Sequence, residues 1–383
     1  MISNLGSSLR AISIIIGTII GVGIFGLPYT FNKAGFLIGL GLLIIIAIVF
    51  YYLHLLYGEI VLRTKKNQRL VGYAQKYLGH KGKMIAAISA LFGLLGSQLA
   101  YLIVGGQFLS LITHNILGDN ALIYVIVFLI AGALIVLIDG PAIATVEFFM
   151  SLFLIGVICL IFFAAVPKIH SIDLKSIHPS GIFLAYGVVL FALSGGVAIP
   201  EAIEYLKKKK NQNYKRVIVL GTLIPAFLYL LFVLAILGTT GNNVSESAIA
   251  SLNNVLGVKI VILGAVFGII AVFSSFITIG STLMKILWYD YHVPKIMSWT
   301  LSSVAPLALF VIGMRNFIDV IGVVGTIMGG IDGILIILIF QKARKTGDQK
   351  PAYHIRFPRI LKWTLVFVFL LGIVYQIYVS LPK

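Results

Sequence analysis

The sequence predicts an all-α, polytopic membrane protein with eleven transmembrane helices, of which helices 1 and 6 are broken. Three observations predict this class: 60% of the 383 residues are hydrophobic, only 11% are charged, and the mean hydropathy is +1.08. Soluble domains carry about 25% charged residues. Runs of roughly 20 apolar residues, each long enough to cross a bilayer, recur from end to end. No stretch is long and polar enough for a separate soluble domain.

The predicted spans form a core over residues 1–341 and a short appendix over 342–383. The core holds spans 1–5 at about 9–166 and spans 6–10 at about 182–341, and the appendix is a basic loop followed by a peripheral span 11. The predicted span bounds are 9–32, 35–62, 84–112, 121–138, 142–166, 182–206, 216–238, 258–287, 298–314, 317–341 and 361–380.

Lysine and arginine are distributed unevenly between the two sides of the predicted topology. With the N-terminus in the cytoplasm, 23 of the 29 Lys and Arg residues fall on the inner side. This is the positive-inside asymmetry, and an odd number of spans then puts the C-terminus outside. The net charge of +17 therefore follows from the basic loops on the cytoplasmic side of the lipid bilayer, and no nucleic acid partner is expected. The single cysteine, Cys159, excludes an intrachain disulfide.

Residues 17–28 (GTIIGVGIFGLP) form an apolar stretch with four glycines and one proline. Its Gly21-x-Gly23-x-x-Gly26 pattern matches a dinucleotide-binding fingerprint, but no strand precedes it and no acidic residue follows at about 20 positions. The pair Gly17 and Gly21 also fits a helix-packing motif, which stays an alternative for this span alone. A helix broken halfway across the membrane explains the crowding of glycines better.

A second interruption lies five spans later. Span 6 contains Ser194-Gly195-Gly196, with Pro200 just beyond. Two broken helices at matching positions of two five-span halves predict a repeat, and because five is odd the second half enters from the opposite side. The sequence thus predicts a 5+5 inverted repeat.

Each predicted break offers backbone groups for binding. The half-helix after a break exposes N–H groups and its positive dipole end, which suit a carboxylate. The half-helix before it exposes carbonyls, which suit a small cation. Ser274 and Ser275 in span 8 offer hard oxygen ligands for such a cation, although hydroxyls in membrane helices often only bond to the preceding turn.

The motifs resemble those of a known superfamily. The stretch Gly17–Tyr29 followed by Ala34-Gly35-Phe36 is similar to the first span of the amino acid/polyamine/organocation superfamily, most of all its amino acid/auxin permease branch and the bacterial aromatic amino acid permeases. Residues 100–107 (AYLIVGGQ) resemble the third span of that branch, and residues 191–201 (FALSGGVAIPE) resemble its sixth. The resemblance covers spans 1–10 and implies the leucine-transporter fold.

The resemblance also implies binding residues. Gly21, Val22, Gly23 and Ile24 match the unwound backbone that receives the amino acid carboxylate, and Phe191, Ser194 and Gly195 match the span 6 segment that receives the amino group and forms part of a gate. Tyr101 matches a pocket wall in span 3. The sodium site that the superfamily widely shares maps to Gly17, Ile20, Ala271, Ser274 and Ser275. Span 5 lacks the lysine that some proton-coupled relatives carry, which favours sodium.

Two intramembrane acids keep a second coupling ion open. Glu201 in the inner half of span 6 and Asp332 deep in span 10 could each carry a proton, because buried acids in membranes are costly and often functional. A structural hydrogen bond across helices is the alternative for Asp332.

We therefore expect a secondary active transporter that imports a neutral amino acid with a hydrophobic or aromatic side chain by sodium symport and alternating access. No further cofactor is expected, and no metal or catalytic motif such as His-Glu-x-x-His indicates an enzyme. Proton coupling and a non-transporting amino acid sensor on the same fold are the alternatives.

Overall fold

The computed structural model describes residues 2–138, 142–169, 174, 176–252 and 257–381. Helices dominate this part of the chain, and no strand occurs in it. We number the fourteen α-helices in chain order: α1 Ile2–Ile19, α2 Gly23–Ala34, α3 Phe36–Arg63, α4 Leu70–Leu117, α5 Ala121–Ile138, α6 Ala142–Ala165, α7 Ile182–Leu193, α8 Ala198–Lys208, α9 Tyr214–Thr240, α10 Val258–Lys285, α11 Lys295–Ile312, α12 Phe317–Val324, α13 Gly330–Thr346 and α14 Arg359–Ser380.

The helices coincide with the predicted spans. Eight helical segments of the described chain are long and apolar enough to cross a membrane, and the pair α1 and α2 makes a ninth. Two shorter apolar helices, Ala121–Leu137 and Leu152–Lys168, lie at predicted spans 4 and 5. All-helical architecture with two interrupted spans is therefore confirmed, and the chain is an integral membrane protein.

Both interruptions fall where the glycines predict them. Span 1 leaves the helical path over Ile20–Val22, and its two halves are bent by 55°. Span 6 is interrupted over Ser194–Val197, between α7 and α8. Among the described residues, the two halves of span 1 form the one pair of consecutive helices that is bent by more than 40° at a short break. The two breaks thus share a position in the repeat and differ in angle.

Gly79, whose backbone φ is positive, separates a short helix in the first basic loop from the helix of span 3. Helix α4 is 48 residues long, but Gly79 adopts φ 75° and ψ −162°, which a residue with a side chain rarely adopts. The turn from Leu70 to Gly79 carries the buried residues Tyr73, Ala74 and Tyr77 on one face. The first basic loop therefore contains a short amphipathic helix.

Span 10 has its own irregularity beside span 6. A π-helical turn, Gly325–Gly329, separates α12 from α13. A Cβ at Gly325 would lie 2.6 Å from the Phe191 amide nitrogen and would overlap the Gly187 carbonyl oxygen. Glycine is therefore required here for span 10 to approach the end of α7. The contact places span 10 directly behind the break in span 6.

The loops rich in Lys and Arg gather at one end of the molecule, which we call the basic face. They are the loops that follow α3, α8 and α13. The loop over residues 347–358, which we call the strap, runs from α13 to α14 and lies against the end of α3. The Gln349 side-chain amide donates to the Leu62 carbonyl oxygen (2.8 Å), and the Tyr353 hydroxyl donates to the Leu55 carbonyl oxygen (2.8 Å).

A buried carboxylate anchors the strap. Glu59 on α3 is fully buried and accepts two hydrogen bonds from Arg63, at 2.9 and 2.7 Å, as well as one from the Ile355 amide at 2.7 Å. At the other end of the strap, Asp348 accepts from the Lys76 ammonium group and from the Lys65 amide. These contacts, led by the Lys76 hydrogen bond, hold the pKa of the Asp348 carboxyl below its usual range.

We expect Glu59→Ala to lower the stability of the protein by about 3–5 kcal/mol, because it leaves the buried Ile355 amide without its acceptor and Arg63, which also contacts His354, without its carboxylate partner. Thermal unfolding of the purified protein in detergent measures this. The matched control is Asp119→Asn, since Asp119 is 92% exposed beside His114. Equal unfolding temperatures for Glu59→Ala and wild type would show that Glu59 does not anchor the strap.

Candidate binding site at two interrupted helices

The break in span 1 diverts two backbone hydrogen bonds. In a continuous helix the Gly21 amide would donate to the Gly17 carbonyl, and the Ile24 amide would donate to the Ile20 carbonyl. Instead the Gly21 amide donates to the Ile19 carbonyl oxygen at 3.0 Å, and the Ile24 amide donates to the Gly21 carbonyl oxygen at 3.4 Å. The carbonyls of Gly17 and Ile20 therefore lose their helical donors and become available as ligands.

The same break leaves amides available on its other side. Within the described chain, the Val22 and Gly23 amides make no backbone hydrogen bond. They stand at the start of α2, where free N–H groups and the helix dipole favour an anion. Gly21 is half-buried, whereas Val22, Gly23 and Ile24 are buried, so their contribution to a ligand would come from the backbone.

The break in span 6 repeats this pattern. The Ser194 amide and hydroxyl both donate to the Phe191 carbonyl oxygen, at 3.2 and 2.8 Å. The three amides that follow, those of Gly195, Gly196 and Val197, make no backbone hydrogen bond in the described structure. Ser194 is exposed and Phe191 is half-buried. A second set of free N–H groups therefore precedes α8.

The two breaks pack directly against each other. A Cβ at Gly23 would lie 2.7 Å from Ala192 Cα and 3.1 Å from Phe191 Cδ1. In the reverse direction, a Cβ at Gly195 would overlap the Ile19 side chain. Gly23 is needed because the Ala192 backbone lies against it, and Gly195 is needed because the Ile19 side chain lies against it; neither has a positive φ.

A tyrosine hydroxyl joins the two breaks. Tyr229 on α9 is fully buried, and its hydroxyl oxygen lies 2.7 Å from the Ile19 carbonyl oxygen and 2.8 Å from the Ala192 carbonyl oxygen. A hydroxyl carries one hydrogen, so it donates to one of the two carbonyls at a time. Sequence reasoning missed Tyr229. The available signal was the Tyr229 hydroxyl within the otherwise apolar run over residues 223–237 of span 7.

Tyr101 closes the side of the span 1 break that faces span 3. A Cβ at Gly21 would overlap the Tyr101 hydroxyl, and the Tyr101 side chain is buried. The structure thus brings together Gly21 and Tyr101, Gly23 and Phe191, and Gly195 and Ile19. All of the residues predicted for substrate binding lie at this crossing or one residue away from it.

The span 8 residues lie apart from the span 1 break in this conformation. Ser274 donates to the Ala271 carbonyl oxygen at 3.0 Å, and Ser275 is half-buried. Helix α10 packs mainly on α4 and α6, whereas α1 packs mainly on α9 and α8. The predicted halves of the sodium site are therefore on helices that are not principal neighbours here. In the described chain, no group of three His, Cys, Asp or Glu side chains offers a different metal site.

The crossing is open toward the basic face. Ser194, Val197 and Glu201 form an exposed stripe at helical spacing, and Val197 is 66% exposed. The stripe continues to Glu204, whose carboxylate accepts from Arg69 Nη1 at 2.7 Å. Because Arg69 immediately precedes α4, this ion pair places the basic-face end of α8 next to the start of α4.

The opposite side of the crossing is packed shut. Phe25 in α2 contacts Phe108 and Phe232 edge to face, with ring centroids 4.9 and 6.1 Å apart. A Cβ at Gly26 would meet the side chains of Ile318 and Phe317, at 3.0 and 3.3 Å. These contacts pack side chains against α2 on the side of the crossing away from the basic face.

The two predicted proton carriers have different surroundings. Asp332 on α13 accepts a hydrogen bond from the buried Ser89 hydroxyl of α4 at 2.8 Å. This is the cross-helix hydrogen bond that the sequence offers as the alternative role for Asp332. Glu201 lies on the exposed stripe of α8.

Comparison with solved structures identifies the fold. A solved structure described as the inward facing conformation of Mhp1 superimposes with a TM-score of 0.67, at 16% identity, over 97% of this chain and 90% of its own. This likeness and the two interrupted helices show that the chain has the leucine-transporter fold.

The family follows from the sequence match. The model of the tryptophan/tyrosine permease family matches residues 5–379, and the chain belongs to this family of amino acid permeases. Tyrosine-specific transport system 1 of Haemophilus influenzae is 24% identical, over 97% of this chain and 95% of that protein. Glutamine transporter 2 of Aliivibrio fischeri is 23% identical, over 82% of this chain and 84% of that protein. The aromatic permease branch expected from the motifs is confirmed at the level of the family.

We expect Tyr229→Phe to destabilise the protein by about 1–3 kcal/mol, because it removes the hydroxyl that bridges the Ile19 and Ala192 carbonyls in a buried site and leaves the Ile19 carbonyl with the Gly21 amide as its donor. Thermal unfolding in detergent reads this out. Tyr378→Phe removes the same hydroxyl from a side chain that is 70% exposed and serves as the control. A Tyr229→Phe protein as stable as this control would mean that the bridge contributes nothing.

Proposed function

We propose that this permease imports a neutral amino acid with a hydrophobic or aromatic side chain, driven by sodium, through alternating access. The observation that carries the proposal is the pair of touching breaks, which presents freed carbonyls and freed amides at one crossing. Such a crossing binds a zwitterion and a cation without any charged side chain.

The protein would hold the substrate by its carboxylate and its ammonium group. Its carboxylate would accept from the amides of the Gly21–Ile24 segment, of which those of Val22 and Gly23 are free. Its ammonium group would donate to carbonyls at the end of α7 and to the Ser194 hydroxyl, beside Gly195. Phe191 and Tyr101 would form the walls of the side-chain pocket, which suits an apolar or aromatic group.

Sodium would be held between spans 1 and 8. The freed carbonyls of Gly17 and Ile20 would supply two ligands, and the Ala271 carbonyl with the Ser274 and Ser275 hydroxyls would supply three. Ser274 would exchange its bond to Ala271 for the ion. Since α1 and α10 are not principal neighbours in the conformation open to the basic face, ion binding would favour the conformation in which they approach.

The surroundings of the crossing favour a neutral substrate. Glu201, one turn into α8, is the nearest acid on the exposed stripe, and none of the predicted pocket residues is charged. The relatives named for tyrosine and for glutamine act on neutral amino acids by their names. With the basic face in the cytoplasm, as the charge asymmetry predicts, the described conformation is the one that releases substrate inside.

Proton coupling through Asp332 or Glu201 is the second candidate, because Asp332 is a carboxyl group within the membrane-spanning segment Phe317–Thr346. Its hydrogen bond from Ser89 at 2.8 Å favours the structural role instead. A sensor that binds amino acids without moving them is the third. Uptake into proteoliposomes at fixed pH, with an inward gradient of sodium or of potassium, separates the three.

In that assay we expect uptake of tyrosine, tryptophan, phenylalanine or leucine to require sodium. We expect Ser274→Ala combined with Ser275→Ala to raise the sodium concentration for half-maximal uptake about tenfold or more, because two oxygen ligands are lost. Thr282→Ala is the control, since its hydroxyl lies on the same helix and donates to the Thr278 carbonyl.

Three outcomes would contradict the proposal. Equal uptake in sodium and potassium would exclude sodium symport, and abolition of pH-driven uptake by Asp332→Asn would then establish proton coupling. Binding of an amino acid, detected as a raised unfolding temperature, without uptake under either gradient would establish the sensor.

A further inference from the structure

We propose that a groove on the basic face is a binding site for the headgroup of an anionic phospholipid. The groove encloses about 510 Å³ and lies where α3, the start of α9 and the strap meet. Its walls include Tyr51 from α3, Lys215 and Arg216 from α9, and Tyr353 from the strap. The site is distinct from the crossing of the broken helices and does not depend on the transport proposal.

The charge of the groove selects an anion. No Asp or Glu lines it, whereas Lys215 and Arg216 are both exposed there. Neither cation forms a salt bridge with an acid in the described part of the chain, unlike Arg63, Arg69 and Lys76 nearby on the same face. The groove also includes Asn213, the residue before α9, so the positive end of that helix adds to the field. A phosphate group supplies the matching negative charge.

The position of the groove selects a lipid over a soluble phosphate. Aromatic side chains surround it: Tyr51 and Tyr353 line it, and next to them Tyr52 packs on Phe357 of the strap with ring centroids 5.9 Å apart. Tyrosine gathers at the depth of lipid headgroups. Val219, one turn further into α9, continues the wall as an apolar surface along which an acyl chain can lie. Cations at the entrance and apolar surface below match the two parts of a phospholipid.

The groove is held open by the strap's attachment to α3. Tyr353 keeps its place because its hydroxyl donates to the Leu55 carbonyl oxygen at 2.8 Å. A lipid bound here would therefore contact three segments that are far apart in sequence. Such a ligand should raise the stability of the folded chain in proportion to its occupancy.

The test titrates the purified full-length protein in detergent with three additives and follows the unfolding temperature, with native mass spectrometry of the same samples to count retained lipids. The additives are phosphatidylglycerol, phosphatidylcholine with the same acyl chains, and inorganic phosphate. We expect phosphatidylglycerol alone to raise the unfolding temperature saturably and to remain bound. An equal effect of inorganic phosphate would show an anion site without lipid selectivity, and an equal effect of phosphatidylcholine would show that charge is irrelevant; either result overturns the proposal.

Variants locate the effect. Lys215→Gln with Arg216→Gln should weaken phosphatidylglycerol binding about tenfold or more, because each cation near a headgroup contributes roughly a fivefold change. The control is Lys208→Gln with Lys209→Gln, which removes the same charge from exposed residues at the end of α8 that do not line the groove. Ala352→Glu, which adds a carboxylate to an exposed lining residue, should weaken binding as well.

Unchanged binding in the Lys215/Arg216 variant, or an equal loss in the Lys208/Lys209 control, would mean that the basic face attracts anionic lipid diffusely and would overturn the site. If the double variant fails to fold, Ala352→Glu decides the question by itself, since wild-type affinity in that variant excludes a headgroup in the groove.

Discussion

The satisfaction of backbone hydrogen bonds is the constraint on which the structure depends. In a membrane an unpaired amide or carbonyl costs several kcal/mol, so helix 1 can open over Ile20–Val22 only where protein surrounds the opening. Span 6, opened at the matching position, supplies that surrounding. Gly23 and Gly195 allow the two interrupted segments to touch. The Tyr229 hydroxyl lies within hydrogen-bond distance of the Ile19 carbonyl in span 1 and the Ala192 carbonyl in span 6. The carbonyls of Gly17 and Ile20 and the amides of Val22 and Gly23 keep no helical hydrogen-bond partner. These are the groups proposed to bind the sodium ion and the substrate carboxylate.

Access to the crossing is decided by packing on its two sides. Toward the basic face, polar and exposed residues of α8 line a cleft, and the ion pair of Arg69 with Glu204 spans it. On the other side, the Phe25 ring packs edge to face on Phe108 and Phe232. Alternating access requires these two arrangements to exchange. The aromatic cluster is therefore the part of the closed side that must separate for substrate to enter.

Several elements were predictable because local patterns specify them. The spans follow from hydropathy, and the two breaks follow from crowded glycines in apolar helices. Other features were not predictable, since they join residues far apart in the chain. Tyr229 reaches both breaks over separations of 210 and 37 residues, and Glu59 holds the Ile355 amide 296 residues away. Ser274 bonds within its own helix in this conformation, so its role as an ion ligand stays a prediction.

The glycine-rich stretch of span 1 shows the division between sequence and structure. By itself the sequence determined that this helix breaks and that a second break lies five spans later, because glycines weaken a helix wherever it lies. Only the tertiary structure decided which carbonyls the break releases, that the two breaks meet at Tyr229, and that they open toward the basic face. Those features depend on which helices become neighbours, and a local pattern carries no information about neighbours hundreds of residues away.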